Sequence, residues 1–175
     1  MENLKIIKNL IPYEYFRIKA TGESKFTFHA GSFHDCLYKA DIHEANIMIY
    51  SSIIPPQAIE IEKPKIYPGQ ELKCIMSRCD GRYGERIGAG IAFGTLYDDN
   101  DNKHISLVVE RAGSYDDDTL IEALNDSLYE LYNKTFSDYK LDESNIEYIV
   151  KSFVPEDIYG TVLVGLCFSS YIQID

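Results

Sequence analysis

Basic residues are scarce in this chain. Seventeen Lys and Arg stand against 28 Asp and Glu in 175 residues, a formal net charge of −11. Such a field repels phosphate backbones, so nucleic acid is not an expected partner and cationic small molecules are favoured. The imbalance is local. Residues 1–51 hold six bases and six acids, and residues 52–175 carry the whole deficit. Cysteine is sparse too: Cys36, Cys74, Cys79 and Cys167 include no CxxC pair and are too few for a secreted disulfide framework. No apolar run reaches the roughly 18 residues of a membrane helix, so no membrane partner is expected. The N-terminal stretch Met1 to Lys5 has no basic region followed by an apolar core, as a secretory leader would. A cytoplasmic setting is the expectation. Repeats, low-complexity tracts and Ser/Gly linkers are also missing. With 45% apolar and 26% charged residues, a single domain over 1–175 is expected.

What is there reads as strands with few helices. Tyr13–Lys19 predicts a first strand, and Phe33, Leu37 and Ala40 predict a short helix from Ser32 to Asp41, capped by Ser32. Asn46 to Tyr50 is a continuous apolar run, the mark of a strand buried on both faces. Pro55 and Pro56 remove two backbone donors and end it. Further strands are expected over 71–79, 86–94, 104–111, 145–153 and 161–168. A strong helix is expected over Thr119 to Asn133, opened by Asp116, Asp117 and Asp118 with Thr119 and Glu122 at capping-box spacing. Its buried stripe is Leu120, Leu124, Leu128 and Leu131. The fold class is α+β, a layered sandwich of sheets with a few covering helices.

Several candidate sites dissolve on inspection. The acidic turn from Asp98 alternates like a calcium loop but has Lys103 where glycine is needed and Val109 where a bidentate Glu belongs, so it reads as a solvated hairpin. Gly88, Gly90 and Gly94 have the wrong spacing for a nucleotide fingerprint and lie in an apolar strand, where they let another backbone come close. His29, His34, His43 and His104 are too dispersed for zinc spacing, and no metal site is expected.

The segment Ser51-Ser52-Ile53-Ile54-Pro55-Pro56-Gln57-Ala58 admits two readings. One is a strand that ends in a polar turn with serines as caps. The other rests on resemblance: it is similar to the self-cleavage site of the pyruvoyl-dependent arginine decarboxylases, whose pattern is Ser-Ser-Ile-Met-Pro-Pro-Glu-Ala. The asparagine that the family carries six residues before the second serine stands here as Asn46. Gly84-Glu85 before a glycine-bearing strand, and Leu107-Val-Val-Glu110 with Gly113, resemble later family segments. The resemblance covers roughly residues 25 to 170.

The resemblance implies a four-layer αββα fold and cleavage between Ser51 and Ser52. The products would be a small chain 1–51 and a chain 52–175 headed by a pyruvoyl group made from Ser52. That group does the work of pyridoxal phosphate (PLP), so neither PLP nor a metal is needed. Asn46 is the implied donor to the oxyanion formed at Ser51 during cleavage. An alternating strand would carry Asn46, Met48, Tyr50 and Ser52 to one side. Glu110 is the implied proton donor to the substrate, its pKa raised by apolar surroundings; read without the resemblance, it would pair with Arg111.

The activity implied is arginine to agmatine plus carbon dioxide, in a homotrimer or a pair of trimers with active sites between subunits. An acid on the short helix takes the substrate guanidinium in the family, and aligning Leu37, Ala40, Ile42 and Asn46 with the family locates its position here. Here His34 holds that position and Asp35 follows one residue later, about 100° round the helix. Gln57 for Glu is a second departure. Decarboxylation of another amino acid such as histidine, or a non-enzymatic relative with an intact chain, are therefore the alternatives.

Overall fold

Phe16, Ile18 and Ala20 fall on one face of an extended chain and Tyr15 and Arg17 on the other, so the first strand divides two apolar layers. The computed structural model describes residues 10–174; the Met1–Lys5 stretch lies outside them. Among the described residues run β1 (Leu10–Ser24), α1 (His34–Lys39), β2 (Asn46–Ile49), β3 (Ile53–Ile54), β4 (Ile59–Glu60), β5 (Glu71–Arg82), β6 (Ile87–Tyr97), β7 (Lys103–Gly113), α2 (Asp117–Thr135), β8 (Lys140–Leu141), β9 (Glu147–Phe153) and β10 (Tyr159–Gln173). One sheet has the order β2-β5-β10-β1-β4. The other has the order β3-β7-β6-β8, with β9 also paired to β6. Every pairing is antiparallel except β1 with β4 and β2 with β5.

The core explains the layering. Val162, Val164, Leu166 and Phe168 of β10 meet Ile87, Ala89, Ile91 and Phe93 of β6 between the sheets. The opposite face of the first sheet packs Phe16, Ile18, Leu163 and Cys167 against Cys36 and Leu37 of α1. The opposite face of the second packs Ala92, Leu96, Leu107 and Val109 against Leu120, Leu124 and Leu128 of α2. The result is the expected α+β sandwich, helix–sheet–sheet–helix. No described helix is long and apolar enough to cross a membrane.

Individual elements depart from the sequence reading for physical reasons. The helix expected over Ser32–Asp41 starts earlier, as a wide turn at Phe28–Phe33 that runs into α1. Ser32 does not cap it: the side chain is buried and its hydroxyl meets the Thr161 hydroxyl at 2.8 Å. Gly22 of β1 admits this close helix, since a Cβ there would lie 2.2 Å from the Ser32 carbonyl oxygen. At α2 the cap is Asp116, whose carboxylate accepts from the Thr119 N–H at 2.9 Å; Thr119 sits inside the helix. Leu131 is only half-buried. The Asp98 turn is a hairpin end, its carboxylate bonded to the Asn100 and Asn102 N–H groups. Another backbone comes close at Gly88, where a Cβ would lie 2.8 Å from the Tyr115 carbonyl oxygen, but at Gly90 the close neighbours are the Leu120 and Leu124 side chains, at 3.0 and 2.7 Å.

The largest departure is β2. Its apolar run was expected to be buried on both faces. It lies instead at a sheet edge, with Met48 45% and Ile49 65% exposed. The equally apolar β10 occupies the sheet centre and is buried on both sides. Composition alone does not separate the two strands.

Candidate active site

The chain leaves the first sheet after Tyr50, just where the site forms. The Tyr50 N–H still reaches the Cys74 carbonyl on β5 at 2.8 Å. Three residues later Ile53 and Ile54 pair with Leu107 and Ser106 of β7 in the second sheet. Pro55 and Pro56 stop β3 after two residues. Ser51 and Ser52 thus form the crossing between the two sheet edges. The Ser52 carbonyl accepts from the Val108 N–H at 3.1 Å, and the Ser51 carbonyl accepts from the Ile53 N–H at 3.0 Å, a three-residue turn centred on Ser52. Ser51 is exposed and Ser52 half-buried.

On β7, Val108 points between the sheets, and Glu110, two residues on, shares that face. The Ser52 hydroxyl lies 3.0 Å from Glu110 Oε1 and 2.9 Å from Oε2. Burial raises the Glu110 carboxyl above its ordinary pKa, and the Ser52 hydroxyl partly offsets the rise. The alternative ion pair with Arg111 does not form. Arg111 turns to the opposite face, where its Nε donates to the Ser127 hydroxyl of α2 at 2.7 Å.

A groove of about 320 Å³ lies along this edge of β7, lined among others by Ser52, Glu110, Arg111, Ser127, Glu130 and Lys134. The last three share one face of α2 at helical spacing. Beyond Ser51 opens a second, more apolar cavity of about 620 Å³, with Leu10, Tyr50, Ile53, Pro56 and Ile174 in its walls. The Ser51–Ser52 link therefore stands between two cavities.

The other residues singled out in the sequence lie elsewhere in the chain. Asn46 is at the far end of β2, and its Nδ2 donates to the Gly69 carbonyl at 3.0 Å. The expected alternation from Asn46 to Ser52 fails because the chain leaves the sheet after Tyr50. Asp35 accepts from the Glu23 N–H at 3.0 Å and bridges Lys39 at 2.7 Å. His34 sits in an aromatic cluster with His43, and Tyr38 also packs on His43. Leu37 is buried beneath α1. None of the four lines the groove of Ser52 and Glu110. Among the described residues, no three His, Cys, Asp or Glu side chains are grouped to hold a metal ion.

Sequence reasoning missed the Ile53 and Val108 amides, since backbone donors leave no side-chain signature. It also missed Ser127, Glu130 and Lys134, whose only signal is a polar face beside the leucine stripe of α2.

Comparison with known proteins finds similarity to one family. A family model described as pyruvoyl-dependent arginine decarboxylase matches residues 14–173. The pyruvoyl-dependent arginine decarboxylase of Methanococcoides burtonii is 32% identical over 102 residues, 55% of this chain and 56% of the relative. That of Methanopyrus kandleri is 32% identical over 72 residues, 41% of this chain and 47% of the relative. The chain spans about half the length of these curated relatives. With nearly its whole described length matched, the chain belongs to the pyruvoyl-dependent arginine decarboxylase family.

Proposed function

We propose that this protein is a self-processing decarboxylase that converts arginine to agmatine and carbon dioxide with a pyruvoyl group made from Ser52. The observation that carries the reading is the Ser52 hydroxyl seated on the Glu110 carboxyl across 58 residues of sequence.

The residues at this crossing fit such a group. Its source is a serine at a bend, its following carbonyl is held by the Val108 N–H, and a buried carboxyl faces it. A pyruvoyl group supplies a ketone beside an amide, an electron sink for the charge left on an amino acid as carbon dioxide departs.

Cleavage follows from the chain's own atoms. Ser52 Oγ bonds to the Ser51 carbonyl carbon as the C–N bond breaks, and the hydroxyl proton ends on the Ser52 nitrogen. Ser52 then loses its α-proton and expels the Ser51 carboxylate. Water hydrolyses the remaining dehydroalanine and releases ammonia. The products are residues 1–51 and a capped chain 52–175.

Glu110 then has one task, to carry a proton at its carboxyl and deliver it to the carbon that carbon dioxide leaves. Burial suits it, because a raised pKa keeps the carboxyl protonated nearer neutral pH.

The acidic excess of residues 52–175 supports a cationic substrate. Asp35 spends its carboxylate on Lys39 and Glu23, and this favours a second reading in which histidine or another amino acid is the substrate. Assembly as a trimer or hexamer is supported by two features. Asn46, His34, Asp35 and Leu37 lie outside the groove, and exposed Met48, Ile49 and Ile53 flank the crossing in the chain. A neighbouring subunit would bring such residues to Ser52. The expected setting is the cytoplasm.

The test is carbon dioxide release from arginine, lysine, ornithine, histidine and aspartate, with and without borohydride, which reduces ketones. Release from arginine, lost after borohydride, is expected. No release from any of the five would overturn the reading.

A further inference from the structure

Ser52 can attack the Ser51 carbonyl only if something carries the charge that develops on its oxygen. Among the described residues no side chain donates a hydrogen bond to that oxygen, and Asn46 donates to Gly69 instead. We infer that the Ile53 backbone N–H is the oxyanion donor for self-cleavage. The inference rests on the processing reading above.

Three observations carry it. The Ile53 N–H already meets the Ser51 carbonyl at 3.0 Å in the uncleaved chain, across a turn whose central residue is the attacking serine. The donor is left free by the ladder. The Val108 N–H bonds the Ser52 carbonyl, and in antiparallel pairing alternate residues face the partner strand, so the Ile53 N–H points away from β7. The donor is also fixed. Ile54, the next residue, is 1% exposed in the core between the sheets, and Pro55 after it has a locked φ. A donor held in place before reaction costs no reorganisation when charge forms, which is what makes such groups effective.

The step balances within the chain. The Oγ–C bond forms, the carbonyl π electrons move onto the Ser51 oxygen under the Ile53 N–H, and the hydroxyl proton passes to the Ser52 nitrogen. The electrons then return as the C–N bond breaks. The inference also gives the prolines a purpose: they end β3 so soon that the donor residue stays beside the crossing.

The experiment replaces Ile53 by its α-hydroxy acid in cell-free synthesis of the full chain, exchanging the N–H for an ester oxygen, and follows cleavage in time. Ile53→Ala, which keeps the N–H, is the control. Cleavage slowed by about 10²–10³-fold in the ester chain, as for loss of one oxyanion donor, with Ile53→Ala within a few-fold of the natural chain, supports the inference. An ester chain that cleaves as fast as the natural one overturns it. Hydrogen exchange in the uncleavable Ser52→Ala chain gives a second measure, with a protected Ile53 amide expected and a freely exchanging one contradicting the donor role. Failure of the natural chain to cleave at all would instead strike the processing reading.

Discussion

Ser52 gives its hydroxyl to both oxygens of Glu110, and with a backbone hydrogen bond it opposes the rise that burial imposes on the carboxyl's pKa. Removing the hydroxyl therefore raises that pKa further. Conversion of Ser52 in the proposed processing would do this, so that maturation would favour the protonated form of the acid.

A Glu110 titration in Ser52→Ala is expected to show a pKa above the ordinary carboxylate range, with the processed protein alongside it. The measurement is the pH dependence of the ¹³C side-chain carboxyl shift. The sign for activity follows: a proton donor works below its pKa, so turnover falls as pH rises through the raised value. A Glu110 pKa at or below the ordinary range would contradict this.

Glu110→Gln keeps an oxygen to accept the Ser52 hydroxyl and loses the proton. It is expected to cleave like the natural chain and to lose decarboxylation by about 10²–10⁴-fold, the usual worth of a positioned acid. Gel analysis and carbon dioxide release read the two steps separately. Full turnover would remove Glu110 from the chemistry.

Asp35 joins α1 to β1 through the Glu23 N–H and pairs with Lys39. Its side chain is 31% exposed, so solvent discounts the ion pair and the backbone bond dominates. Asp35→Ala is expected to cost about 1–2 kcal/mol in urea unfolding without substrate. Unchanged stability would mean that the carboxylate is free for a substrate.

Ile49 is 65% exposed on the edge strand β2, where an isolated subunit gains little from it. Ile49→Asp is expected to weaken the proposed assembly in sedimentation while the circular dichroism of the fold persists. An unchanged sedimentation coefficient would contradict a subunit contact at β2.

The sequence revealed most where one periodic pattern met one environment. The leucine stripe of α2 was legible because it has a direct steric counterpart on the sheet face it covers, whereas the close backbone expected at the β6 glycines is met at Gly88 and replaced by leucine side chains at Gly90. β10 and β2 look alike as apolar runs, and only the sheet order separates the centre from the edge. Ser52 and Glu110 were singled out through the family resemblance, but their contact depends on β3 crossing to β7, which no local pattern encodes. Asn46 failed to reach Ser52 within one chain because strand alternation cannot be extended past the bend after Tyr50. The Ile53 amide was invisible, since every residue but proline has one.

Mass spectrometry of the purified, denatured protein tests the central claim most directly. The account predicts two species, residues 1–51 and residues 52–175, the larger with a blocked N-terminus and lighter by one ammonia than a fragment beginning with serine. One intact species of 20.0 kDa with an unmodified Ser52 would contradict it.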